Sequence, residues 1–196
     1  MTSGENVERV TAALGPAWAT FQAAIDRWMA QNGDTLRDRW DGLLDDQELF
    51  NHELGAFLHD PAAGPVDFDY DATPEDSYAF ASTGVDGEHY SVLLGEDRNG
   101  LIVVTAPMAF DRPNVVVGES LVEALALVSG GCGFSGPPNL AYQSWDEAIA
   151  TIERPTDNAL WQEISRELAL VPWSEPAARL ARLQDDHLGS VRPRRN

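Results

Sequence analysis

The chain has 196 residues and a formal net charge of −19, from 32 acidic residues and 13 basic ones, all of them arginine. An apolar content of 43% with six tryptophans excludes a disordered chain, and the length suits one well-buried core. The single cysteine, Cys132, excludes an internal disulfide framework, and no apolar run is long enough to span a bilayer.

Near the start, Trp18, Phe21, Ile25, Trp28 and Met29 recur at helical spacing, with Asp26, Arg27 and Gln31 off that stripe. Gly33 followed by Asp34 reads as a stop and a new N-cap. A shorter helix is expected through Leu36 to Leu44. Another is expected through Leu49, Phe50, Leu54, Phe57 and Leu58, ending before Pro61, because proline disfavours helix in the residue preceding it. Residues 61–77 form a Pro- and Asp-rich connection.

Ser77 to Ser82 alternates with period 2 and predicts a strand. Thr83 to Gly87 is a turn in which Asp86-Gly87 is a hairpin signal, and Glu88 to Leu94 reads as the second strand. Asn99-Gly100 marks another turn, Leu101 to Ala106 a third strand, and Asn114 to Val117 a short fourth. Glu119 opens a helix that runs to about Val128 and ends at Gly130-Gly131. Ser144-Trp145-Asp146-Glu147 has the spacing of a capping box. Leu160, Trp161, Ile164 and Leu168 stripe a further helix, and Ser174 with Pro176 opens the last one.

Helices, then strands, then helices predict an α+β class: an antiparallel-based sheet of four or more strands packed with N- and C-terminal helices. Residues 1–188 are expected as one domain, helical over 1–60, sheet over 77–118 and helical over 119–185. Residues 189–196 are expected as a basic, disordered tail.

Chemical motifs are weak. Asp67, Asp69 and Asp71 alternate as in a calcium loop, but Ala72 replaces the required glycine and Tyr78 the bidentate Glu. The expected reading is that Phe68 and Tyr70 face the core while the three Asp face water. Gly131-Cys132-Gly133-Phe134-Ser135-Gly136 matches GxGxxG literally, but a helix precedes it and Pro137-Pro138 follows. That order is the reverse of a dinucleotide site and predicts a flexible loop after a helix. Cys132 lacks the electropositive setting that a reactive thiolate needs. Glu88 and His89 are adjacent on a predicted strand and point to opposite faces. His52 and His59 have no ligand-spaced partner. No metal, no cofactor and no catalytic group is expected.

Charge is the strongest signal. Between Arg39 and Arg98 there is no arginine or lysine, and residues 41–97 carry 15 acidic residues, −15 of the total −19. Such a field repels nucleic acid and anionic membranes and speeds encounter with basic proteins. The expected interface is the acidic connection and first turn: Asp67, Asp69, Asp71, Glu75, Asp76, Asp86 and Glu88. Tyr70 and Tyr78 are expected as aromatic anchors.

The run Phe80 to Tyr90, then Val103-Val104-Thr105-Ala106-Pro107-Met108 and Pro113 to Leu121, resembles the strand–turn–strand and closing helix start of actinobacterial members of the SMI1/KNR4 (SUKH) superfamily. The resemblance covers Tyr78 to Val128. No Leu-Pro or Asn-Gly-Gly follows Trp18 and Trp28, so the N-terminal part departs from that family's pattern. The resemblance implies helices on an antiparallel sheet and a non-enzymatic protein-binding module; the single cysteine, with no signal-peptide pattern and no bilayer-spanning run, makes a cytoplasmic location the expectation. Its most specific implication is an immunity protein that occludes a basic toxin; a scaffold or regulatory module is the alternative.

Overall fold

The computed structural model describes residues 3–39, 51–64, 66, 68, 70–131, 133–152 and 158–194. Helix α1 (Ser3–Leu14) is followed by Gly15, and Pro16 opens α2 (Pro16–Arg39), where proline's fixed φ and missing N–H suit a first helical position. The stripe Trp18, Phe21, Ile25 and Trp28 is buried as expected. The helix does not stop at Gly33, because the stripe continues to buried Leu36. A glycine inside a helix costs about 1 kcal/mol, less than the roughly 2 kcal/mol gained by burying one leucine.

The expected helices over Leu36–Leu44 and Leu49–Leu58 fall largely on 40–50, outside the described residues. Residues 51–54 are helical. Phe57 and Leu58, which spacing placed in that helix, instead form β1 (Phe57–Leu58) and pair antiparallel with Ser82 and Ala81. Then come β2 (Ser77–Ser82), β3 (His89–Leu93), β4 (Ile102–Thr105) and β5 (Asn114–Gly118). They form a five-stranded antiparallel meander in the order β1-β2-β3-β4-β5. In the first hairpin Asp86 and Gly87 have φ of 46° and 75°, and the Glu88 N–H donates to the Val85 carbonyl at 2.9 Å, as an Asp-Gly turn requires.

Among the described residues five helices follow: α3 (Leu121–Val128), α4 (Asn139–Tyr142), α5 (Trp145–Ile152), α6 (Ala159–Glu167) and α7 (Pro176–His187). At the expected capping box the Glu147 N–H donates to the Ser144 hydroxyl, which itself donates to the Glu147 carboxylate at 2.7 Å. The chain is thus α+β with N- and C-terminal helices, as its sequence predicts.

Both sheet faces are covered, which is why the strands are apolar almost throughout. Tyr90, Val92, Val104 and Val115 face Trp18 and Phe21 of α2, Leu125 of α3 and Trp161 of α6. On the other face Leu93, Leu101, Val103 and Val116 meet Leu183 of α7, with Trp173, Leu188 and Val191. Gln184 of α7 closes the exposed edge of β5. Its carbonyl accepts from the Val116 N–H at 2.9 Å, and its amide donates to the Val116 carbonyl at 2.8 Å.

The tail corrects the expectation of disorder from residue 189. The Glu75 N–H donates to the Arg192 carbonyl, the Arg194 N–H donates to the Thr73 carbonyl, and Pro193 bridges Pro74. Packing of Leu188 and Val191 on the second face anchors it. The GxGxxG run corrects the flexible-loop expectation in the same way. Residues 133–135 make a 3-10 turn, and Phe134 is buried among Phe21, Phe80, Tyr90 and Trp161.

Candidate functional site

Sheet register divides the acidic span between two ends of the sheet. Asp76 precedes β2, whereas Asp86 lies in the turn that follows it. A strand of this length separates its ends by about 17 Å. Asp76 is accompanied at its end by the β3–β4 turn, with exposed Glu96 and Asp97. There the charge is partly offset, because Arg98 lies 3.7 Å from Asp76. At the other end Tyr70 packs against Gly87, where a Cβ would fall 2.4 Å from the tyrosine ring. Tyr70 and Asp71 therefore join Asp86 and Glu88, and Glu75 and Asp76 do not. Asp67, Asp69 and Cys132 lie outside the described residues.

Two residues expected at an interface are instead buried. Tyr78 packs in the core and donates its hydroxyl to the Gly64 carbonyl at 3.1 Å; burial first, then the Asp60 charge, push it up to about 12. Glu88 is 8% exposed, because the hairpin folds it inward. Its carboxylate accepts from the Thr83 hydroxyl at 2.8 Å and from the Tyr142 hydroxyl of α4. Desolvation pushes this carboxyl above the usual range, the Thr83 and Tyr142 hydrogen bonds oppose that, and the Asp86 charge adds to it. Among the described residues no arginine or histidine forms an ion pair with Asp86 or Glu88.

Glu88 forms one wall of a recess of about 450 Å³. Asn51 and Gly55 bound it on one side, and Ser135, Pro138 and Asn139 on another. Gly55 has φ 79°, and a Cβ there would come within 3.1 Å of the Ser135 backbone nitrogen, so glycine allows this close approach. Both polar atoms of the Asn51 amide are buried and lack a hydrogen-bond partner.

Phe68 faces inward as expected, stacked on His89 at 4.4 Å, while Tyr70 stays partly exposed. His89 is fully buried and bonded through Nδ1 to the Gly87 carbonyl at 2.7 Å. Burial above all, with Arg194 and His59 adding to it, pushes its imidazole from 6.5 down to about 4; the Gly87 bond opposes this. A neutral buried histidine stabilises the fold fully above its ordinary value and loses that contribution as pH falls toward the lowered one. The expected loss between pH 7 and pH 5 is about 2 kcal/mol. Urea unfolding at both pH values should show it as a shallower pH dependence in His89→Phe, which keeps a flat ring against Phe68. Equal pH dependence in the two proteins would contradict a buried neutral imidazole.

The structure adds residues that sequence reasoning missed. Phe110 is 83% exposed, and Val85, Met108 and Tyr142 also present large exposed side chains. Residues 106–113 join β4 to β5 at the same end as the first hairpin, since His89, Thr105 and Asn114 are register neighbours. Arg112 ties this loop to α4 by donating to the Leu140 and Gln143 carbonyls, and lies 5.2 Å over the Trp145 ring. Their one sequence signal is a large apolar pair held between Pro107 and Pro113, in a run too short to reach the core. One end of the sheet thus gathers exposed apolar side chains around Asp71, Asp86, Glu88 and Asp111.

The chain matches no family model, no curated protein and no solved structure. Among the described residues no group of three or more His, Cys, Asp or Glu is arranged to hold a metal ion, and no helix is long and apolar enough to cross a membrane.

Proposed function

We propose that this chain is a non-catalytic, cytoplasmic protein-binding module that captures a basic protein partner at the sheet end bearing Asp86 and Phe110. The observation that carries this reading is the clustering of Phe110, Met108, Val85 and Tyr142, all exposed, around Asp86 and Glu88, which form no ion pair among the described residues. Apolar anchors beside a predominantly acidic surface are the composition of a binding patch: the anchors supply affinity, and the field supplies rate and selectivity. The resemblance of Tyr78 to Val128 to SUKH proteins supports the more specific reading of an immunity protein occluding a basic toxin. A scaffold without a toxin partner is the alternative within the same binding class.

A pull-down from the native host, read by mass spectrometry at low and high salt, tests this. The expected result is one stoichiometric basic partner, weakened by salt and lost with Phe110→Ala combined with Asp86→Asn. A partner that is retained by this double variant would move the interface elsewhere. A toxin encoded beside the gene for this chain would favour immunity, and a cell-wall or signalling protein would favour the scaffold.

A further inference from the structure

We propose that the recess beside Glu88 is a receptor for a single arginine side chain presented by a protein partner. This rests on the reading of the chain as a binder of basic proteins and specifies the chemistry of its anchor. Three independent features converge. Glu88 is a buried carboxylate held by two hydroxyl donors, and it forms no ion pair among the described residues. A guanidinium offers the charge and the planar donor fork that such a carboxylate accepts. Asn51 lines the same recess with both amide atoms buried and unsatisfied, a state that costs free energy until a ligand fills it. Its oxygen accepts a further guanidinium N–H, and its NH₂ finds an acceptor in the peptide carbonyl of the incoming residue. Tyr142, half-exposed and outside the lining of the recess, is hydrogen-bonded to Glu88 and so sets an aromatic ring beside that carboxylate.

A volume of about 450 Å³ lies within the range of sites that hold a small molecule, so it accommodates one long side chain. Lysine fits less well, because a point charge satisfies Glu88 and leaves the Asn51 amide unmatched. The recess walls come from three segments that the fold itself fixes: the first hairpin, the Asn51–Gly55 turn and the 135–139 loop. The site is therefore formed before binding, which lowers the entropic cost of capture.

The test uses N-acetyl-arginine amide as probe, titrated into the ¹⁵N-labelled full chain and followed by NMR. The expected result is saturable shifts confined to Thr83, Glu88, the Asn51 side-chain amide and Asn139. Glu88→Gln, which keeps the shape and one acceptor oxygen but no charge, should weaken binding by about tenfold, as loss of a charged hydrogen-bond partner does. Asn51→Leu should weaken it as well with the charge intact, and this variant carries the test if Glu88→Gln fails to fold. N-acetyl-citrulline amide, of the same shape without charge, should not bind, and N-acetyl-lysine amide should bind more weakly. Non-saturating shifts spread over Asp71, Asp86 and Asp111 would overturn the receptor and leave the acidic-surface reading standing. So would saturable binding that both variants retain. No shift at any site would also overturn the receptor, whereas the pull-down judges partner binding separately.

Discussion

Combining Asp71→Lys, Asp86→Asn and Asp111→Lys is expected to slow association with the captured basic partner by about tenfold at 0.15 M salt, with a much smaller change in dissociation. Asparagine is used at position 86 because φ there is 46°, a conformation that Asn tolerates and lysine resists. The matched control is Asp76→Asn, where φ is likewise positive at 47°, with Glu96→Lys and Asp97→Lys, at the far end of the sheet and with the same change in charge. The two ends are about 17 Å apart, and the screening length at that salt is about 8 Å. The far-end control should therefore alter the rate only slightly. Stopped-flow association at 0.15 M and at 1 M salt checks both statements, and at 1 M the three proteins should converge. Equal slowing by the two sets at 0.15 M would mean that the net field matters and the proposed end does not.

The same distinction marks what the sequence could show. Absence of arginine over 41–97 identifies an acidic surface, yet Asp76 and Asp86 are close in sequence and lie at opposite ends of one strand. Spacing cannot sort them until a register exists. The meander was legible because Asp86-Gly87 and Asn99-Gly100 are local turn signals whose backbone requirements residue type reveals. Strand β1 was not, because two residues after a helical stripe become a strand only when β2 offers an edge to pair with. The tail was misread for a related reason. Its arginines suggest solvation, while Leu188 and Val191, which hold it down, need the second sheet face before they have anything to cover. Glu88 and Asn51 were invisible as a pair because they meet only in three dimensions. Phe110 has no partner pattern in the sequence, since residue type alone does not separate an exposed phenylalanine from a buried one.

Two phenylalanines make the sharpest contrast, and Phe134→Ala is expected to destabilise the fold by about 4 kcal/mol, lowering the melting temperature by roughly 12 °C for a chain of this size. Phe134 is where rings from α2, β2, β3 and α6 converge, with Tyr90 at 4.8 Å, Trp161 at 5.6 Å, Phe21 at 6.2 Å and Phe80 at 6.5 Å. Its carbonyl also accepts the Tyr90 hydroxyl at 2.6 Å. Alanine leaves a cavity between elements that other contacts hold apart, so the site cannot collapse to fill it. Phe110→Ala, at an 83% exposed position, should change stability by no more than about 0.5 kcal/mol. Urea unfolding of both variants decides this. A loss under about 1 kcal/mol for Phe134→Ala would return the 131–136 run to the status of a flexible loop. The consequence reaches the binding end as well, because Ser135, Pro138 and Asn139 form a wall of the Glu88 recess directly after Phe134. At temperatures where Phe134→Ala remains folded, its arginine-probe affinity should fall although no residue touching the probe has changed. Phe110→Ala should do the reverse, leaving the probe affinity intact while weakening capture of the whole partner.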